Sequence, residues 1–159
     1  MADRTHRYEA RLTWTGSGTA SLPFRNHDRS YQLDAPGKPA ILGSSDKVFR
    51  GDAQRWNPED LLVASLSACH HLWYMGLCAS AGIAVLAYED AADGEMVEQS
   101  AGGAGQFARV TLRPRVTLAV GSDRDKALAL HETAHKNCFI ARSVNFPVEL
   151  APVVVESPR

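Results

Sequence analysis

The sequence predicts an α+β fold, and three observations carry that prediction. Apolar and polar residues alternate in the first third of the chain and again over 107–120, which is the period of a strand. Between these regions runs one apolar stretch, 61–88, that is too long for a strand and is preceded by helix-start residues. Strands and helices are segregated rather than alternating as in a doubly wound parallel sheet. The expected arrangement is antiparallel strands around a long central apolar helix and a second amphipathic helix, in one domain over 1–159.

The elements follow in order. Tyr8, Ala10, Leu12 and Trp14 alternate with Arg7, Glu9, Arg11 and Thr13, the pattern of a half-buried strand. A second short strand fits 31–33, bounded by Asp34, Pro36 and Gly37. Residues 36–56 read as loop, because Gly37, Pro39, Gly43, Gly51 and Asp52 break any period. At Asn57 the pattern changes. Asn57 suits an N-cap, Pro58 the first helical position, and Glu59 and Asp60 the positive end of the dipole. From Leu61 the helix is expected to reach about Gly82, where glycine offers a C-terminal stop.

Beyond it, 84–88 reads as a strand and 90–94 as a turn. In 107–120, Ala108, Val110, Leu112, Val116, Leu118 and Val120 form the apolar series, and Pro114 marks an edge or a break. Ser122 starts the second helix, with Asp125 as a short variant of the capping box, and this helix extends to about Cys138. Residues 145–156 form a last strand containing Pro147 and Pro152. Gly102, Gly103 and Gly105 precede a strand rather than a helix, which argues against a phosphate-binding loop.

Composition narrows the function classes. The 159 residues are 45% apolar and 22% charged, too apolar for a disordered chain. A net charge of -1 argues against a protein that wraps nucleic acid or lies on an anionic membrane. Three cysteines, an odd number, argue against a secreted disulfide framework. With no signal-peptide pattern at the start, the cytoplasm is the expected compartment. The 61–88 stretch exceeds the roughly 20 residues that span a bilayer. It nevertheless carries Ser65, Ser67, Cys69, His70 and His71 near its middle, which is costly in hydrocarbon. A helix buried in protein on nearly all sides is the expectation, and in so small a domain that points to a partner subunit.

Two thiols suggest chemistry. Cys69 has Ser65, Leu66, Leu72 and Trp73 as its helical neighbours, and a lone cysteine there is usually a buried structural one. Cys138 ends the second helix on the face of Ala127, Leu130, His131 and Ala134. Cysteines on the inward faces of two helices can meet, and such a pair suits peroxide reduction with one attacking and one resolving thiol. Cys78, nine residues past Cys69, falls on the opposite side of the helix and reads as core. A reactive thiol needs a nearby cation, for which Arg25, Arg29, Arg50 and Arg55 are candidates and Glu59 is the nearest orienting carboxylate. Glu59 and Cys69 lie about 15 Å apart along one straight helix. A composite site is therefore expected, with Glu59 of one subunit approaching Cys69 of the other across a two-fold axis.

Asn57-Pro58-Glu59-Asp60-Leu61-Leu62 followed by Ser65-Leu66-Ser67-Ala68-Cys69 resembles the signature helix of the OsmC/Ohr family of hydroperoxide peroxidases. Ala134-His135-Lys136-Asn137-Cys138 resembles that family's second cysteine segment. The resemblance implies an intertwined homodimer with interfacial thiol sites, Cys69 as peroxidatic and Cys138 as resolving cysteine, and no cofactor. It also implies Glu59 as the family's carboxylate and, among the arginines, Arg25 ahead of Arg29 and Arg50. The substrates implied are organic hydroperoxides, with hydrogen peroxide as a second candidate, in oxidative or osmotic stress defence. The reductant would be an external thiol of dithiol or lipoyl type. His70-His71-Leu72-Trp73 after Cys69, and the long loop between Arg25 and Asn57, look like the OsmC-like branch rather than the organic-hydroperoxide-specific one.

Two rival readings remain from the residues. His131-Glu132-Thr133-Ala134-His135 is a literal H-E-x-x-H, which on a helix suits a zinc-dependent hydrolase. Such an enzyme needs a third ligand. Downstream only Glu149 and Glu156 are acidic, both on the expected last strand. Cys138, three residues after His135, would make a helix-end set that looks more like adventitious metal binding. The other rival is a non-catalytic dimer binding a small hydrophobic ligand beside Trp73, Tyr74, Met75 and Phe139. His70 and His71 read as core histidines, or as a base or donor beside the thiol.

Overall fold

The computed structural model describes residues 4–17, 26–99 and 104–158. The chain forms two compact units, Met1–Leu61 and Leu62–Arg159.

The first unit is built on an antiparallel sheet of β1 (Arg11–Trp14), β2 (Tyr31–Asp34) and β3 (Ile41–Gly43) in that order. β1 starts at Arg11, later than the alternation from Tyr8 suggests, and is exposed rather than half-buried. Its partner explains the late start. Arg11 pairs with Asp34, after which β2 turns away through Gly37, so residues 8–10 have no strand to join. β3 falls inside the stretch expected to be loop; three residues are too few to show a period. A 3-10 turn at Lys47–Phe49 follows, where Asp46 Oδ1 accepts the Val48 N–H at 2.7 Å.

The helix α1 (Pro58–Ser80) opens as expected, with Asn57 Oδ1 accepting the Asp60 N–H at 2.7 Å. It closes with the Ile83 N–H reaching the Cys78 carbonyl at 2.9 Å around Gly82, whose φ of +71° favours glycine. By length and composition α1 could cross a membrane. Its burial in the chain is narrower than expected. Only Leu66, His70, Tyr74 and Cys78 are buried, one stripe at every fourth residue. A helix that packs against one side of its own unit buries one stripe and leaves the rest half-covered or exposed.

The second unit holds two three-stranded sheets. In one, β7 (Pro114–Leu118) lies between β4 (Val85–Asp90) and β9 (Val153–Glu156); in the other, β6 (Gln106–Leu112) lies between β5 (Asp93–Val97) and β8 (Val148–Leu150). The outer strands β4 and β5 pair antiparallel, while β8 and β9 pair parallel. The sheets are thus mixed, not wholly antiparallel as expected, because the helix α2 (Arg124–Asn137) returns the chain to the start of both sheets. The chain switches sheets twice. Between β6 and β7 it does so at Arg113, whose N–H is held by Asp90 Oδ1 at 2.7 Å, so Pro114 stands at a break between two strands, the second of the two expected placements. Between β8 and β9 it does so at Ala151 and Pro152, which divides the single strand expected over 145–156. β5 carries Asp93, Gly94 and Glu95, is exposed throughout, and has no strand signal in its sequence.

The N-cap of α2 is Asp123, one residue after Ser122, and accepts the Lys126 N–H at 2.9 Å. Asp125 therefore lies in the first turn and closes no capping box. Ala127, His131 and Ala134 are buried on the expected face, with Cys138 as the C-cap. The core gathers Tyr74, Cys78, Val116, Leu118, Ala127, Ala134 and Val154, with Leu66, Val110 and Leu112 in a second cluster.

Candidate functional site

The inward stripe of α1 and the buried face of α2 meet in the second unit. There Cys69 and Cys138 interact, as their helical positions suggest. Burial pushes the Cys138 thiol up to about 11, and its hydrogen bond with Cys69 acts in the same direction. Cys138 is fully buried and its sulfur also accepts the Ala141 N–H at 3.4 Å, so it stays a thiol at neutral pH. Cys69 is only half-buried. The difference gives one thiol access to the outside and keeps the other behind it. Cys78 is core, as expected, and burial raises its pKa.

Cys69 opens into a cavity of about 550 Å³ lined by Leu72, Trp73, Gly76, Leu77, Ser80 and Phe139. Counting from Cys69, these helical positions are spaced as one face of α1. Trp73 and Phe139 meet edge to face at 5.7 Å, and Leu72 and Phe139 are about 70% and 68% exposed. Of the four residues expected beside a hydrophobic ligand, Trp73 and Phe139 line the cavity. Tyr74 is instead buried, and Met75 packs on the core. Leu72, Gly76, Leu77 and Ser80 are missed by residue-type reasoning, although stepping along the helix from Cys69 finds them.

One residue further along α1, His70 Nε2 lies 3.0 Å from His131 Nδ1 on α2, with both rings buried and their planes within 7°. Tyr74 stacks on His131 at 3.9 Å. His71 meets Tyr88 edge-on at 4.5 Å. Ser67 Oγ donates to Asp90 Oδ2 at 2.6 Å, and Asp90 also acts on His70. The far nitrogens, His70 Nδ1 and His131 Nε2, are buried without a partner. Nothing in the local sequence pattern announces this pair, because it joins residues of two helices.

The geometry gives the H-E-x-x-H reading no support: Glu132 is exposed, and among the described residues no three metal-ligating side chains converge. Burial pushes His70 down to about 4 and His131 to about 3. The sign of the consequence is set by the unfolded chain, whose histidines bind protons near pH 6.5 while the folded ones do not. Stability from this pair is therefore complete above about pH 6.5 and is lost as pH falls toward 4. Urea unfolding at pH 7.5 and pH 5 is expected to show a loss on the order of 4 kcal/mol at the lower pH, about 2 kcal/mol from each histidine. An unchanged midpoint would contradict the buried neutral pair.

The other expected site residues belong to the first unit. Arg25 lies outside the described residues. Arg29 Nη1 donates to the His27 carbonyl at 2.8 Å. Arg50 is exposed, with a φ of +65°. Arg55 Nε is 3.4 Å from Asp52 and leaves Nη1 buried without a partner, which favours it among the described arginines. Glu59 is half-buried in the first turn of α1 with Oε2 unpartnered, and after burial it is the second cause that raises the Tyr31 pKa.

A family model described as OsmC-like protein matches residues 51–152. No curated protein matches the sequence. Among solved structures, an OsmC-like protein of unknown function from Vibrio cholerae superposes with a TM-score of 0.85 at 27% identity, covering 94% of this chain and 100% of that one. An organic hydroperoxide resistance protein from Elizabethkingia anophelis gives 0.70 at 20% identity, covering 98% and 100%. A protein from Legionella pneumophila, described as an organic hydroperoxide resistance protein OsmC, gives 0.63 at 15% identity, covering 97% and 99%.

Proposed function

The chain belongs to the OsmC-like protein family, and from that premise we propose that it is a cytoplasmic, cofactor-free thiol peroxidase that reduces organic hydroperoxides in stress defence. The observation that carries the proposal is the meeting of Cys69 and Cys138 from distant parts of the chain, with the more accessible thiol facing an apolar cavity. An apolar wall of Leu72, Trp73 and Phe139 suits the hydrocarbon part of a hydroperoxide better than hydrogen peroxide.

The Cys69 thiolate attacks the distal oxygen of the peroxide. An S–O bond forms, the O–O bond breaks, and the alkoxide leaves and takes a proton, giving Cys69 sulfenic acid and an alcohol. Arg25 supplies the positive charge that favours the thiolate and the departing oxyanion, with Arg55 as the next candidate, and the orienting carboxylate is Glu59 brought to Cys69 from the other subunit of the dimer. Cys138 sulfur then attacks Cys69 sulfur. The S–S bond forms, the S–O bond breaks, and water leaves with the Cys138 proton. An external dithiol, of lipoyl or similar type, reduces the disulfide by exchange and is itself oxidised. A homodimer belongs to the same proposal, since it covers the exposed Leu72 and Phe139.

The test is the intact mass after one equivalent of cumene hydroperoxide. The wild type is expected to lose two hydrogens, and Cys138→Ser to gain one oxygen in a form that dimedone traps. The cavity also favours a second reading, a dimer that binds a hydrophobic ligand without catalysis. Such a binder would keep every free thiol through the same treatment.

A further inference from the structure

Beside the Tyr74–His131 stacking, two polar contacts join α1 to α2, and their spacing is unequal. On α1 they occupy adjacent positions, Cys69 and His70; on α2 they occupy His131 and the C-cap Cys138, two turns apart. Helices running nearly side by side pair residues at equal intervals, so α1 crosses α2 steeply here. A steep crossing has little shared surface, and apolar side chains alone resist sliding and rotation poorly because their attraction has no direction. A hydrogen bond does have direction.

Resting on the reading of Cys69 and Cys138 as a redox couple, we propose that the buried His70–His131 hydrogen bond is a positioning element for disulfide closure, holding the two helices in the alignment that sets the Cys138 sulfur on the Cys69 sulfur. The rings are nearly coplanar, the bond is 3.0 Å, and Tyr74 backs His131 from one side. His71 and Tyr74 on α1, His135 on α2, and Tyr88 and Asp90 on β4 surround the pair. An apolar pair would avoid leaving His70 Nδ1 and His131 Nε2 buried and unpartnered. What two imidazoles add is a fixed line between two backbones. Closure requires Cys138 sulfur to attack Cys69 sulfur in line with the leaving group, and small misplacements slow such reactions.

The test uses one equivalent of 4,4′-dithiodipyridine, which carries its own oxidising equivalents. Attack by Cys69 on its S–S bond releases one pyridinethione and leaves a mixed disulfide. Attack by Cys138 on the Cys69 sulfur then releases the second and forms the protein disulfide. His131→Leu keeps the volume and loses the bond, whereas His131→Asn keeps a polar atom at the Nδ1 position with less volume. Expected for His131→Leu is a first release within about twofold of wild type and a second release slowed by about tenfold or more. His131→Asn should restore the second release to within about threefold.

A role in packing alone would order these variants the other way. His131→Leu closing at the wild-type rate, or His131→Asn closing as slowly as His131→Leu, would overturn the proposal. Should the leucine variant not fold, position 70 gives the same contrast. His70→Gln reaches the Nε2 position and is expected to close like wild type, while His70→Asn falls short and is expected to close slowly. Equal rates for those two would overturn the proposal as well. A wild type that releases a single pyridinethione would defeat the redox couple itself. A failure to consume cumene hydroperoxide would defeat only the peroxidase reading, leaving this test intact.

Discussion

Cys69→Ser is expected to lose organic hydroperoxide reduction by about a thousandfold or more, down to the background of the assay. A serine hydroxyl is not ionised near neutral pH without a strong base beside it, and oxygen is a far weaker nucleophile than sulfur toward peroxide oxygen. Cumene hydroperoxide consumption with a dithiol reductant measures the effect. Cys78→Ser serves as the control, because Cys78 is core on another side of α1 and touches neither the cavity nor Cys138. Its activity should match the wild type. A Cys69→Ser protein that retained activity and lost it with EDTA would restore the metal-dependent reading of His131, Glu132 and His135.

The second large effect concerns stability. Tyr74 is fully buried between His131, at 3.9 Å, and Tyr88, at 5.9 Å. Truncating a buried aromatic ring removes its transfer free energy and leaves a cavity that the neighbours only partly fill. Tyr74→Ala is therefore expected to destabilise the protein by about 3–5 kcal/mol in urea unfolding. Tyr74→Phe keeps the ring and should lose less than about 1.5 kcal/mol. An alanine variant within 1 kcal/mol of wild type, roughly the effect of an ordinary substitution, would mean that the α1–α2 core does not rest on this ring.

The legible parts of the sequence were those whose cause is local. Asn57, Pro58, Glu59 and Asp60 start α1 by capping, ring geometry and dipole, and Gly82 stops it; all act within one or two turns. The thiol pair was legible for a related reason. Helical arithmetic put Cys69 and Cys138 on inward faces, and only one packing step was needed to bring them together. That step also creates the His70–His131 bond, yet no count along either helix reveals it, because it depends on how steeply the helices cross. β3 and β5 carry no strand signal because one is three residues long and the other is polar and exposed. The division of 145–156 into two strands depends on two sheets competing for one segment, which is a property of topology. The choice among Arg25, Arg29, Arg50 and Arg55 is undetermined by pattern because loops have no period to orient a side chain.

The parallel pairing of β8 with β6 and of β9 with β7 bears on how the chain comes together during synthesis. Residues 148–156 supply the third strand of both sheets, so each remains a two-stranded ribbon until that segment has left the ribosome. Two-stranded ribbons are marginal in water, and pairing partners this distant in sequence is slow. A nascent chain stalled after α2 would already contain both thiols while Leu112, Val116 and Leu118 still lacked their final cover, which makes it a candidate for chaperone capture at that stage.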